Sequence, residues 1–446
     1  MNREDLLLTD LYQLTMLQGY FDQGMNETAV FEFFVRKMPA QRNLLIAAGL
    51  TQVLDYLEAA CFSPEELDWL KGCGRFRGDF VESLNAWRFT GDVDAMPEGT
   101  LFFPDEPVLR VVAPMREAQL VETRVINLLQ FQSMVAAKAV RSVFAADGRM
   151  LVDFGLRRAH GAEAGLLSAR ASFIAGFTGT ATVLAGMRWE IPLFGTMAHS
   201  YIEAHARESD AFENFARAHP AAATLLIDTY DTEEAARRLV SILPKLARQG
   251  ISVGSVRIDS GDLGEHAKRV REILDAGDLR QIKIFASGNL DEHRIQALLA
   301  GGAPIDGFGV GTKMNTSADQ PYLDCAYKLQ EYAGTPRRKR AEGKATWPGR
   351  KQVFRRLDAG GKMAGDRLAL HDEPPTGRAL LQPMMRQGRR LSASPSLAQI
   401  RAHLQNELAT LPARFRSLEP IPAYPVQVSD AVRRMALLAD SLSERH

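Results

Sequence analysis

Apolar and polar positions fall into two textures along the chain. Up to about residue 110, helical and alternating runs are mixed. Leu6, Leu7, Leu8, Leu11, Leu14, Leu17 and Tyr20 recur at helical spacing, with Thr9 and Asp10 placed to cap a helix through LYQLTMLQGYF. TAVFEFFVR, residues 28–36, alternates and is rich in aromatics, the pattern of a strand. Helices are predicted from about Ile46 to Ala60 and from Glu65 to Lys71. The Gly- and Pro-punctuated stretch from Phe89 to Val112 predicts a small β layer. These elements make one α+β domain over residues 1–113.

One long helical pattern runs from Met115 to Ala146 and is closed by Asp147 and Gly148. Strand-like and helical runs then alternate. LVDFGLRRA precedes a helix from Ala164 to Ala175, and IPLFGT one from Tyr201 to His219. TLLIDTYDT, SVRIDSGD and IKIFASGN precede helices at Glu233 to Gln249, Leu263 to Ala276 and Asp291 to Ala300, and DGFGVGT comes last. Six strands in βαβα order predict a parallel sheet covered by helices. Because six is short of eight, the expectation is an irregular (β/α) barrel over residues 114–335, with a doubly wound open sheet as its rival. Residues 336–446 open on a basic, turn-rich loop. A hairpin around Gly360 and Gly361 and helices at Ser396–Thr410 and Ser429–Ser441 follow. Lacking an evident core, this segment is expected to pack on the N-terminal domain. The fold class is therefore α/β: an irregular barrel with a second α+β domain built from both ends of the chain.

Composition narrows the class. Lys plus Arg equals Asp plus Glu at 54 each, so no global field draws the chain to nucleic acid or an anionic membrane. No apolar run of about eighteen residues appears, and the acidic N-terminus does not resemble a signal peptide. Cys61, Cys73 and Cys325 are too scattered for a disulfide framework, which fits a reducing, cytoplasmic setting.

The chemistry gathers at predicted strand ends, which in a parallel barrel share one mouth. The stretch IPLFGTMAHSYIEAH places Thr196, His199 and Ser200 at a strand-to-helix junction. Neighbouring ends carry Phe154, Arg157 and Arg158; Asp228, Thr229 and Asp231; Arg257, Asp259 and Asp262; Ser287 and Gly288; and Gly309, Gly311, Thr312 and Lys313. Glycine-rich turns before helices suit phosphate. Arginines hold phosphate or carboxylate bidentately. Acids can hold magnesium or orient a histidine, and a histidine backed by an acid can act as a base or a nucleophile. Each residue alone has a plainer explanation, as a cap, a turn or an ion pair. A catalytically silent phosphate-binding barrel, and a Schiff-base enzyme using Lys283 or Lys313, are alternatives at this point.

The chain resembles the bacterial-type nicotinate phosphoribosyltransferase family. The resemblance rests on TDLYQLTM (Thr9 to Met16), VDFGLRRAHG (Val152 to Gly161), GFTGTATVLAG (Gly176 to Gly186), GTMAHSY (Gly195 to Tyr201), IDTYDT (Ile227 to Thr232), VRIDSGDL (Val256 to Leu263), FASGNLDE (Phe285 to Glu292) and GVGTKMNTS (Gly309 to Ser317), in order. It implies that nicotinate and phosphoribosyl pyrophosphate are joined, with Mg2+ required and ATP hydrolysis coupled through a phosphorylated His199. Asp228 would orient that histidine, and Asp259 would lie by phosphate and metal. Arg257 and Thr196 would meet the nicotinate carboxylate, and Phe154 would stack on the ring. Tyr12 would cover the other face from the second subunit of a homodimer with shared active sites. Gly288, Gly309, Gly311 and Thr312 would cradle the ribose phosphate, Arg157 and Arg158 would lie near base and pyrophosphate, and Ser200 near phosphate. Nicotinamide-using relatives carry Asp where this chain has Ala181, so Ala181 favours the acid over the amide.

Overall fold

A computed structural model describes residues 6–443. The chain divides into two compact units: Met1–Met134 with Tyr322–His446, and Val135–Pro321.

In the first unit both ends of the chain share one sheet. Thr28–Val35 pairs antiparallel with Cys325–Tyr332 on one side and Pro107–Pro114 on the other; Asp92–Ala95 follows, then Gln382–Arg386. Ala29 to Val35 are all buried although their sequence alternates, because the strand is central and covered on both faces. Its one acid, Glu32, is buried against the Lys351 ammonium at 2.7 Å. A second sheet pairs Lys351–Leu357 with Met363–Leu370, the expected hairpin. The helix Leu397–Thr410 starts on a capping box between Ser396 and Gln399. Two predicted helices differ in detail. The one expected from Ile46 begins at Leu50, after a two-residue strand and a left-handed Gly49. The long one is interrupted at Val121, between Met115–Leu120 and Glu122–Ala146.

The second unit holds six parallel strands: β1 (Met150–Asp153), β2 (Gly179–Thr180), β3 (Ala221–Leu226), β4 (Ser252–Ile258), β5 (Lys283–Ala286) and β6 (Gly307–Val310). Their order is β2-β1-β6-β5-β4-β3, so the first strand of the unit pairs with the last. Neighbours follow chain order around a curl, as in a barrel left open on one side. A doubly wound sheet would instead reverse direction at a switch point. Val152, Ile227, Val256, Ile258, Ile284, Phe308 and Val310 are fully buried in its core. The helices are α1 (Ala162–Ala175), α2 (Val183–Trp189), α3 (His199–Glu203), α4 (Glu208–Ala218), α5 (Thr232–Arg248), α6 (Leu263–Ala276), α7 (Glu292–Ala300) and α8 (Thr312–Asn315).

Two expectations here need correction. The strand foreseen at Ile191 to Phe194 is only an isolated bridge from Leu193 to Thr180, since Pro192 has no N–H to donate. The sixth strand is instead the two-residue β2, too short to show a pattern. The helix foreseen from Tyr201 to His219 is two helices. The His205 Nδ1–H donates to the Tyr201 carbonyl at 2.8 Å, while the His205 amide turns to the Ile202 carbonyl, tightening and ending α3.

Candidate active site

The site in the second unit is built around Arg257 on β4. Its Nε donates to Ser287 Oγ (2.8 Å), one Nη to Thr196 Oγ1 (3.0 Å) and the Met197 carbonyl (3.3 Å), and the other Nη to Asp259 Oδ1 (2.7 Å). Its guanidinium carbon lies 5.6 Å from the centre of the Phe154 ring. Three strand ends and one loop are thereby tied together: β1 through Phe154, β4 itself, β5 through Ser287, and the Thr196 segment. A cavity of about 490 Å³ opens against them, lined by Phe154, Arg157, Ala181, Thr196, Met197 and Arg257 among others. The Arg257 fork was expected to be open for bidentate capture, but four of its five N–H groups are committed within the protein. One Nη hydrogen and the positive charge remain for a ligand. Arg157, exposed at the rim, makes no hydrogen bond or ion pair among the described residues.

Asp259 also accepts a short hydrogen bond from Ser287 Oγ. Burial pushes its carboxyl up, but the Ser287 hydrogen bond and the Arg257 charge outweigh that and hold it below the ordinary carboxylate range. Asp228 Oδ2 accepts from the Asp259 amide (2.9 Å) and Ser260 Oγ (2.6 Å), whereas Asp228 Oδ1 is buried without a partner. The histidine has a different neighbour from the one expected: His199 Nδ1 meets Thr229 Oγ1 at 3.1 Å, and no bond joins it to Asp228. Thr229 follows Asp228 directly, so the strand end is right and the side chain is one residue on. No cluster of three or more His, Cys, Asp or Glu able to hold a metal occurs among the described residues. A pair of carboxylates with one oxygen unpartnered still suits magnesium, which binds through one or two carboxylates, water and substrate phosphates.

The glycines divide by role. Gly288 has φ +95°, and a Cβ there would sit 1.9 Å from the Asp259 carbonyl oxygen, so only glycine lets β4 and β5 approach. Gly309 lies buried within β6. A Cβ there would strike the Phe154 ring at 2.5 Å. Gly311 and Thr312 do stand at the start of α8, and Thr312 is exposed. Ser200 is exposed on α3, and Arg158 is exposed beside Arg157. Tyr12 belongs to the first unit, 45% exposed on Leu11–Asp22. Lys313 pairs with Asp291 at 2.6 Å and Lys283 is exposed, so neither has the desolvated setting of a Schiff-base lysine.

Thr229 and Ser287 are visible in the sequence at strand ends but carry no assigned role there, and Asp153 is not singled out. Asp153 carried a readable signal, an acid inside an apolar strand. It is fully buried, and burial raises its carboxyl above the ordinary range despite donors from Thr180, Gly155 and Asn315.

Family models for nicotinate phosphoribosyltransferase match almost the whole chain: the N-terminal domain at residues 7–130, the family model at 150–345 and the C-terminal domain at 376–436. Nicotinate phosphoribosyltransferase pncB2 of Mycobacterium tuberculosis is 49% identical over 428 residues, 96% of this chain and 92% of its own. Nicotinate phosphoribosyltransferase of Bacillus subtilis is 34% identical, covering 95% and 93%. The crystal structure of human nicotinic acid phosphoribosyltransferase superposes with a TM-score of 0.87 at 29% identity, covering 98% of this chain and 100% of that one.

Proposed function

Because the chain belongs to the nicotinate phosphoribosyltransferase family, we propose that it joins nicotinate to 5-phosphoribosyl 1-pyrophosphate, giving nicotinate mononucleotide and pyrophosphate. The lone pair of the ring nitrogen forms the bond to ribose C1 as the C1–oxygen bond breaks. That electron pair leaves with pyrophosphate, and the ring becomes a pyridinium. No proton moves, so the site needs no general base; its work is to hold the ring and offset charge.

The observation that carries this reading is the setting of Arg257, one cation over the Phe154 ring, hydrogen-bonded to Thr196, lining a cavity with ample room for an aromatic acid. Phe154 offers a face to the pyridine, and Thr196 and Arg257 meet its carboxylate. Ala181 supplies an uncharged wall where an acid would repel it. Gly311 and Thr312 hold the ribose phosphate, with Gly288 shaping the adjoining turn, and Arg157 and Arg158 face the pyrophosphate. Asp228 and Asp259 would hold Mg2+, which when bound neutralises phosphate charge.

The proposal includes ATP coupling. A ring nitrogen of His199 takes the terminal phosphoryl group as the bond to the departing ADP oxygen breaks, and water later releases phosphate. Labelled ATP should then leave acid-labile phosphate on the protein. His199→Ala should abolish it and bring the rate with ATP down to the rate without; label that persists in the variant would contradict the assignment. The proposal also makes the protein a cytoplasmic homodimer in which Tyr12 of the partner subunit covers the base. Val183, Met187 and Leu193, exposed at 70%, 74% and 51% near Ala181, give such a partner an apolar seat. No helix among the described residues is long and apolar enough to cross a membrane.

A further inference from the structure

Asp153 closes β1, has no exposed surface, and has no step in the reaction above. Its donors come from three separate strand ends. Oδ1 accepts from the Gly155 amide (2.8 Å), on the turn that carries Phe154 and Arg157. It also accepts from Asn315 Nδ2 (3.4 Å), on α8 just past Gly311 and Thr312. Oδ2 accepts from Thr180 Oγ1 (2.8 Å), where β2 ends. Thr180 Oγ1 accepts in turn from the Thr182 amide (3.0 Å), and the Ala181 amide donates to the Asp153 carbonyl (2.9 Å). Ala181, which lines the cavity, is gripped on both sides.

We infer that Asp153 is a positioning residue that locks the wall of the base pocket and the phosphate-holding turn to one another. It touches neither substrate. Its two oxygens serve two sides: Oδ2 takes Thr180, which flanks Ala181 at the base, and Oδ1 takes Gly155 and Asn315, whose own amide donates to the Gly311 carbonyl of the phosphate turn. The inference rests on the two substrates proposed above. An amide cannot replace this carboxylate, because only one of its heavy atoms accepts. With its oxygen serving Gly155 and Asn315, its NH2 faces Thr180 and leaves a buried hydroxyl proton without an acceptor.

The test is steady-state kinetics on the full chain with Asp153→Asn, Thr180→Val and Asn315→Ala. Asp153→Asn and Thr180→Val should each raise the KM for nicotinate about three- to tenfold, part of the hydrogen bond to a carboxylate that is lost, with the KM for phosphoribosyl pyrophosphate within about twofold. Combining them should add little to either alone. Asn315→Ala should show the opposite split. Amide hydrogen exchange on the ligand-free proteins gives a readout independent of turnover. In Asp153→Asn it should quicken over residues 180–183 and stay unchanged in α5. Unaltered KM values, or a fall in kcat alone with exchange raised throughout the unit, would overturn the inference. If the wild-type protein fails to turn over nicotinate, the functional reading fails, and exchange alone decides for or against the clamp.

Discussion

Arg257 shows how a residue can be legible in type and misleading in use. At a strand end, beside acids, an arginine predicts an anion site, and the cavity it lines accords with that. Its fork, however, is spent on Ser287, Thr196, Met197 and Asp259, so it works as a braced cation with one free N–H. Lysine would keep the charge but lose the brace, because three donors on a flexible stem cannot span those partners. Arg257→Lys should therefore raise the KM for nicotinate by about tenfold or more, the scale of one lost charge-assisted hydrogen bond, and an unchanged KM would remove Arg257 from carboxylate recognition. His199, Thr196 and Phe154 were also visible at strand ends. Thr229 and Ser287 stand among them without a role, because a short hydroxyl next to an acid or a glycine looks like an ordinary cap or turn. The family resemblance implies Asp228 as the partner of the histidine, whereas its hydrogen bond here is to Thr229, one residue on.

At the scale of elements, strands long enough to show an apolar run were legible: β5 and β6 lie within predicted segments, and β1, β3 and β4 overlap theirs but begin one to three residues earlier. The two-residue β2 was not, since a pattern needs several residues to declare itself. Pro192 explains the opposite error, an apolar run that has only part of a ladder to offer. The glycine-rich runs were read as phosphate loops, whereas two of their glycines serve packing. Gly309 makes room for the Phe154 ring, and Gly288 lets two strand ends meet. Gly288→Ala would combine a left-handed φ with a Cβ driven into the Asp259 carbonyl. A loss of roughly 2–4 kcal/mol is expected in urea unfolding, and nicotinate affinity should fall with it because the Asp259–Arg257 pair moves. Stability within about 0.5 kcal/mol of wild type would show that the two strand ends have slack.

For the whole molecule, the cyclic strand order of the second unit was implied by the βαβα texture, although its openness was not. The sharing of one sheet by both ends of the chain was foreseen only as packing, because strand pairing between segments some three hundred residues apart leaves no local trace. The proposed dimer belongs to this scale and has an arithmetic test. If each site takes Tyr12 from one subunit and His199 from the other, Tyr12→Ala and His199→Ala subunits mixed after reversible dissociation form hybrids in half of the dimers. One of the two sites in each hybrid is intact, so about one quarter of wild-type activity should return. No recovery in verified hybrids would mean that each subunit completes its own site.

The central claim is that this cavity selects nicotinate for transfer of a phosphoribosyl group. The direct measurement is pyrophosphate release by the wild-type protein with phosphoribosyl pyrophosphate, Mg2+ and ATP, supplying nicotinate, nicotinamide or quinolinate in turn. Stoichiometric nicotinate mononucleotide and pyrophosphate are expected with nicotinate, strongly lower kcat/KM with nicotinamide, and no carbon dioxide from quinolinate. Preferred turnover of nicotinamide or quinolinate, or binding of all three bases without pyrophosphate release, would contradict that claim.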